Sequence, residues 1–207
     1  MNRSHSTVAA PDADQPATAR ERIDRTAYEL FCRHGIRAVG VDTIVAHSGV
    51  AKKTLYRHYP SKNELALAFL RRRDELWIGE WLKREIEGRA GTPGEKLLAI
   101  FDAFGLWFRE PDFAGCPFLN AISEHGDRKH PVRKAALRYV GQVRALIVKL
   151  AKAAGVRDAK SFARQWQLLM MGSIMAAQAG NVRAARQAKA LGKLLLASNS
   201  IDRENRA

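Results

Sequence analysis

The sequence predicts an all-α protein on three observations. Apolar residues recur with a period near 3.6 from Ala19 almost to the end. No segment alternates with period two, and no Asn-Gly or Asp-Gly pair joins two apolar runs as a hairpin turn would. Glycine and proline divide the helical stripes into about nine helices.

The first 18 residues, MNRSHSTVAAPDADQPAT, hold Pro11 and Pro16 and few large apolar side chains, too little to offset the entropy of ordering, and are expected to be a disordered arm. From Ala19, the stripe Ile23, Ala27, Leu30 and Phe31 marks an amphipathic helix that Gly35 stops. After a link over 36–40, Val41, Ile44 and Val45 make a two-turn helix. Gly49 stands where its C-terminus needs a left-handed residue. AKKTLYRHY is a second short helix ended by Pro60. In SKNE, Ser61 and Glu64 have the spacing of a capping box, opening a long helix through about Gly88 with Leu65, Phe69, Leu76 and Trp77 buried. EGRAGTPGE reads as a loop. Helical periods then cover 95–109, 113–125, 131–154, 159–180 and 182–198.

The 207-residue chain has a formal charge of +14, which favours a polyanionic partner only if the charge is concentrated somewhere useful. It is concentrated: Lys52, Lys53, Arg57 and Lys62, then Arg71, Arg72 and Arg73, stand against the single carboxylate Glu64 between Ala51 and Arg73. Two short helices about a Gly49 turn match the helix-turn-helix, whose second helix enters the major groove of DNA. Ile44, Val45, Val50 and Leu55 would form the small shared core. Lys52, Lys53, Thr54, Tyr56, Arg57 and His58 remain to meet phosphates and base edges, with Tyr59 beside them.

Cys32 and Cys116 lack the spacing of a zinc site, so no disulfide framework is expected. His125, Asp127 and His130 lack a fourth ligand, and neither a metal nor a cofactor is expected. Catalysis would require Cys116, His125 and Glu124 to converge without an oxyanion or phosphate loop, and the chain reads as no enzyme. The longest apolar stretch, about Leu168 to Ala179, is interrupted by Gly172, Ser173 and Gln178. With no apolar signal region before Ala19, a cytoplasmic protein without a membrane partner is expected.

The stretch GVDTIVAHSGVAKKTLYRHYPSKNELALAFL resembles the N-terminal signature of TetR-family repressors: a Gly-Val turn, a TLY core, a following aromatic and a Ser-Lys opening the fourth helix. The resemblance covers Ala19 to about Trp77. It implies that Thr54, Tyr56, His58 and Lys62 occupy DNA-contacting positions and that Thr43 meets a phosphate. Three positions depart from the pattern: Val45 where the family has Ala, Ala51 where Ser or Thr caps the recognition helix, and Lys53 where a small residue is frequent. The missing cap costs on the order of 1 kcal/mol.

The same resemblance implies a division into a DNA-binding domain, 19–77, and an effector-binding and dimerisation domain, 78–207. It implies a homodimer formed through the last two long helices, with Leu168, Leu169, Ile174, Ala177, Leu191, Leu194 and Leu195 as candidates; an intramolecular core explains the same stripes. Phe104, Trp107, Phe118, Tyr139, Trp166 and Met170, with Cys116 and Asn120, are candidates for the pocket of an unidentified small molecule, though such residues are more often ordinary core. GCPFLNAISEHGDRKHPVR resembles a stretch flanking the pocket in one group of these regulators, and Glu124 there either orients a ligand or pairs locally. The functional expectation is a repressor released from double-stranded operator DNA by its effector, with the fourth helix as lever. A regulator without a ligand and a thiol sensor acting through Cys116 stand as alternatives.

Overall fold

In the computed structural model of the chain, residues 18–199 are described; the expected arm lies outside them, apart from Thr18. Nine helices and no strand are present among the described residues: α1 Ala19–His34, α2 Val41–Ser48, α3 Lys52–His58, α4 from Lys62, α5 Pro93–Trp107, α6 Pro117–Glu124, α7 Pro131–Ala153, α8 Ala159–Gln178 and α9 Ala184–Asn199. The helix α4 runs without interruption through Lys62–Asp74, a π-helical stretch Glu75–Leu82 and Lys83–Glu87.

Local chemistry sets the ends. Thr18 and Glu21 form a reciprocal capping box that starts α1, and Gly35, at φ 79°, ends it. Thr92 and Glu95 form a second box ahead of Pro93, so α5 begins two residues earlier than the apolar period suggests. At Ser61 only half of the expected box forms, the hydroxyl accepting from the Glu64 amide at 3.2 Å. Pro117 shortens α6 at its front, because a proline ring suits the first helical turn and nothing before it.

The described residues divide into two compact units, 18–75 with 110–139, and 76–109 with 140–199. The expected boundary near residue 77 follows chain order, whereas packing places the segment around α6 with the N-terminal helices. In the first unit, Ile23, Ala27, Tyr28 and Phe31 of α1 meet Leu65, Ala66, Phe69 and Leu70 of α4, all buried. The Phe69 ring stands edge-on to Tyr28 at 5.5 Å and Phe31 at 5.3 Å.

The second unit is built on aromatic rings. Trp77 lies 5.4 Å from Trp81, its neighbour on the π-helical stretch, and 5.0 Å from Trp107. Phe101 packs on Trp166 at 5.2 Å, and Phe162 stacks on the same indole. Helix α9 comes close because residue 192 is glycine: a Cβ there would stand 2.9 Å from Trp166 and 3.0 Å from Phe101. Gln167, buried, is satisfied by Arg144 at 2.7 Å and by the Val140 carbonyl at 2.9 Å.

Candidate nucleic-acid interface

Helices α2 and α3 meet at Gly49, which adopts φ 64°, ψ 25° and donates its N–H to the Val45 carbonyl. The left-handed conformation turns the chain in one residue, and glycine takes it without strain. Ile44, Val50 and Leu55 are buried behind the turn, and Val45 is half-buried. Ala51 supplies no side-chain cap, so α3 is held at its start by backbone bonds from Thr54 and Leu55 to the Ala51 carbonyl.

Leu55 fixes which way α3 faces. With it buried, Lys52, Lys53, Tyr56 and Arg57 are exposed and Thr54 and His58 half-buried. Tyr56 is 42 % exposed, unusual for a large ring that could have packed inward. Thr43 is exposed on α2. Lys52 is engaged by Asp42 at 2.7 Å, both side chains in solvent, an ion pair of small worth that a phosphate can replace. Sequence reasoning passed over Asp42, although an acid in the first turn of α2 was legible as a partner for a neighbouring cation.

Three residues grouped with this surface sit differently. Tyr59 is only 5 % exposed: its hydroxyl donates to Asp24 and Arg20 lies over its ring at 5.7 Å, so it ties α3 to α1. Burial, then the bond to Asp24, raises its pKa. Lys62 Nζ donates to the Arg37 carbonyl at 3.1 Å, and partial burial lowers its pKa while Glu124 opposes that. Arg73, counted in the concentration of positive charge, is buried, because it follows Phe69 and Leu70 on the inward stripe of α4.

The eight candidate pocket residues fall in both units. Phe104, Trp107, Trp166 and Met170 are buried in the second; Cys116, Phe118, Asn120 and Tyr139 belong to the first. Phe118 packs on Tyr139 at 5.1 Å, and Asn120 donates to the Ala114 carbonyl at 3.1 Å. None of the eight lines the cavity of about 720 Å³ in the second unit, which Phe101, Leu106, Arg109, Val182 and Arg186 help to form. Its signal was absent from the sequence because its walls are contributed by α5 and the residues just after it, by the end of α8 with the turn that follows, and by α9.

Glu124, left open between ligand and local partner, has a carboxylate that accepts the Arg37 N–H, 87 positions away, at 2.8 Å. The His125 and His130 rings stack at 4.2 Å, and no cluster of three metal-ligating side chains occurs among the described residues. No described helix is long and apolar enough to cross a membrane.

Two family models match the chain: the N-terminal model of the bacterial regulatory proteins of the TetR family over residues 23–69, and the tetracyclin repressor-like C-terminal domain over residues 93–191. The chain belongs to the TetR family. Its helix-turn-helix therefore lies within the part matched by the first model. A solved TetR-family regulator from Streptomyces coelicolor, SCO4454, is similar at 29 % identity and TM-score 0.81, covering 88 % of this chain and 96 % of that one. A second structure, from Streptomyces avermitilis, is similar at 28 % identity and TM-score 0.79, covering 88 % and 98 %.

Among curated relatives, the repressor KstR2 of Mycolicibacterium smegmatis is 32 % identical over 95 residues, 45 % of each protein. The activator FasR of the same organism is 48 % identical over 81 residues, 38 % of this chain and 35 % of FasR. The chain thus matches less than half the length of these relatives, and they act in opposite senses on transcription.

Proposed function

We propose that this chain is a cytoplasmic, homodimeric regulator that binds double-stranded operator DNA through residues 19–77 and is released by a small-molecule effector bound within residues 78–207, acting as a repressor. The observation that carries the reading is the exposed face of α3. Lys53, Tyr56 and Arg57 point away from the unit about a buried Leu55, and Lys52 and Thr43 flank them. A two-turn helix so equipped fits a major groove; lysine and tyrosine meet phosphates and Arg57 can address a guanine edge.

Dimerisation is supported by apolar side chains left in solvent. Leu168 on α8 is 69 % exposed and Leu194 on α9 is 68 % exposed, with Met175 and Leu191 on the same two helices. Pairing α8 and α9 with the same helices of a second copy buries these side chains and supplies the two-fold that successive half-sites demand. Ile174, by contrast, is buried within the unit.

Release requires that effector binding change the spacing of the two α3 helices. A route is available in the first unit, where Glu124 at the end of α6 holds the α1–α2 loop through Arg37, and Lys62 at the start of α4 holds the same loop. Movement of α6 or α4 would act on the loop that leads into α2.

The test is operator selection from fragmented genomic DNA by the purified chain, followed by affinity measurements at several salt concentrations. Operator affinity should fall steeply with salt, and a dimer should occupy each site. A monomer that ignores every duplex at low salt overturns the reading.

A further inference from the structure

The cavity of about 720 Å³ in the second unit lies where the later part of α5, the turn after α8 and the first half of α9 meet, and its size is that of a small-molecule site. Phe101, Leu106 and Phe108 give it apolar walls. Val182, which also lines it, is 96 % exposed, an apolar side chain left almost wholly in water. Three cations and one carboxylate stand among the lining residues. Lys189 Nζ donates to both Asp102 oxygens, at 2.7 and 2.6 Å, so those two charges offset each other. Arg109 and Arg186 remain, both exposed, and neither guanidinium has a hydrogen-bond or ion-pair partner among the described residues.

Gly105 is independent of these charges and bears on the same space. It lies inside α5 without a positive φ, and a Cβ there would meet only the Ala185 Cβ, at 3.7 Å, an ordinary contact. Neither backbone conformation nor packing requires glycine at this position, and glycine weakens a helix interior relative to alanine. What the absent side chain leaves is room in the cavity that Gly105 lines. The cavity also faces away from the surface through which a second copy would pair. At 3.6 residues per turn, Ala185 and Lys189 stand roughly 120–180° around α9 from Leu191 and Leu194. Ala177 on α8 is likewise opposite Leu168 and Met175, so pairing through those side chains leaves the cavity open.

We propose that this cavity is the effector site and that the effector is an organic anion, its apolar body against Phe101, Leu106, Phe108 and Val182 and its acidic group at Arg109 and Arg186. The apolar walls favour a ligand that leaves water, and the two free guanidiniums, whose forked donors match the oxygens of an acidic group, select for negative charge. The one carboxylate of the cavity does not oppose this, because Lys189 already holds it. This rests on the reading of the chain as an effector-responsive regulator, and it gives the place and the charge of that effector.

The test is binding of anilinonaphthalene sulfonate to the full chain, read by its fluorescence, beside phenylnaphthylamine, the same skeleton without the sulfonate. Both should bind the parent saturably. Arg109→Gln combined with Arg186→Gln, at two exposed positions, should weaken the sulfonate by about fivefold or more and the neutral amine by less than about twofold. Gly105→Ala should unfold at a temperature equal to or above that of the parent. Gly105→Leu, which places a side chain in the cavity, should abolish binding of both probes. Should it fail to fold, Ala177→Leu fills the cavity from α8 and should do the same. Arginine variants that affect the two probes alike, probe binding that survives a filled cavity, or a lowered midpoint for Gly105→Ala overturns the proposal. Operator release is measured separately, with the sulfonate at saturation. Release supports the cavity as the effector site; a DNA complex that stays intact, with the probe held through both arginines, sustains the anion site and overturns its role in release.

Discussion

The carboxylate of Glu124 lies directly over Gly35 while it accepts the Arg37 N–H at 2.8 Å, so that a Cβ at position 35 would collide with its Oε1. Gly35 also holds φ 79°, which other residues rarely adopt. Gly35→Ala should therefore cost about 1–3 kcal/mol, and Glu124→Ala about 0.5–1.5 kcal/mol for the lost hydrogen bond, since water reaches the freed N–H. Combined, the two should cost less than their sum, because Glu124→Ala removes the clash. Urea unfolding of the two single variants and the double variant measures this; strict additivity would show that the two residues do not share the contact.

On α3, Tyr56→Ala and Arg57→Ala should weaken operator binding, each by about 1–3 kcal/mol, without lowering the unfolding midpoint. Lys53→Ala should reduce the salt slope of binding by about one unit. Tyr59→Phe should do the reverse, lowering stability through the lost Asp24 bond while leaving the exposed face of α3 intact. Fluorescence anisotropy on a selected operator separates the two classes.

Gly192 is fixed by the rings it touches. Gly192→Ala would bring a methyl group to 2.9 Å from Trp166 and 3.0 Å from Phe101, both inside a packed aromatic core. Although alanine is the better helix former, overpacking should dominate and destabilise the protein by about 1–3 kcal/mol. A midpoint equal to that of the parent in calorimetry would show that the rings yield freely.

His130 stacks on His125, its Nδ1 is buried without a partner, and burial followed by His125 lowers its pKa, against the pull of Asp127. The unfolded chain therefore binds this proton at a higher pH than the folded chain. Its contribution is intact above the ordinary histidine range and is lost as pH falls through it. Stability should decrease between about pH 7.5 and about pH 5.5, and His130→Gln should flatten that decline. An identical slope in parent and variant would assign it to other groups.

Burial raises the pKa of both cysteines, that of Cys32 to about 11. Thiolates are the reactive species, so both should react with a disulfide reagent at pH 7.5 far more slowly in the native protein than in denaturant. Operator binding should survive hydrogen peroxide at concentrations that oxidise free cysteine. Rapid native labelling of Cys116 with loss of DNA binding would favour the thiol-sensor alternative.

Periodicity made the helices legible, and Gly49 with its flanking short helices made the helix-turn-helix legible, because both depend on residues within a turn or two of each other. The same local reasoning misplaced what depends on direction. Tyr59 and Arg73 look like surface donors in a basic run, yet Tyr59 closes on Asp24, 35 positions earlier, and Arg73 on Tyr28, 45 positions earlier. The π-helical stretch at Glu75–Leu82 likewise left no mark in the apolar period, which a wider turn shifts by only one residue.

By itself, then, the sequence determined the class of fold, the order and approximate ends of its helices, and the concentration of positive charge about α3, since these follow from backbone preference, side-chain spacing and composition. Only the tertiary structure decided that Glu124 holds the α1–α2 loop, that Gly192 makes room for two rings, and that Arg73 is buried against the Tyr28 hydroxyl. Each of these is a meeting of side chains from distant segments, and burial and pairing are set by where those segments pack.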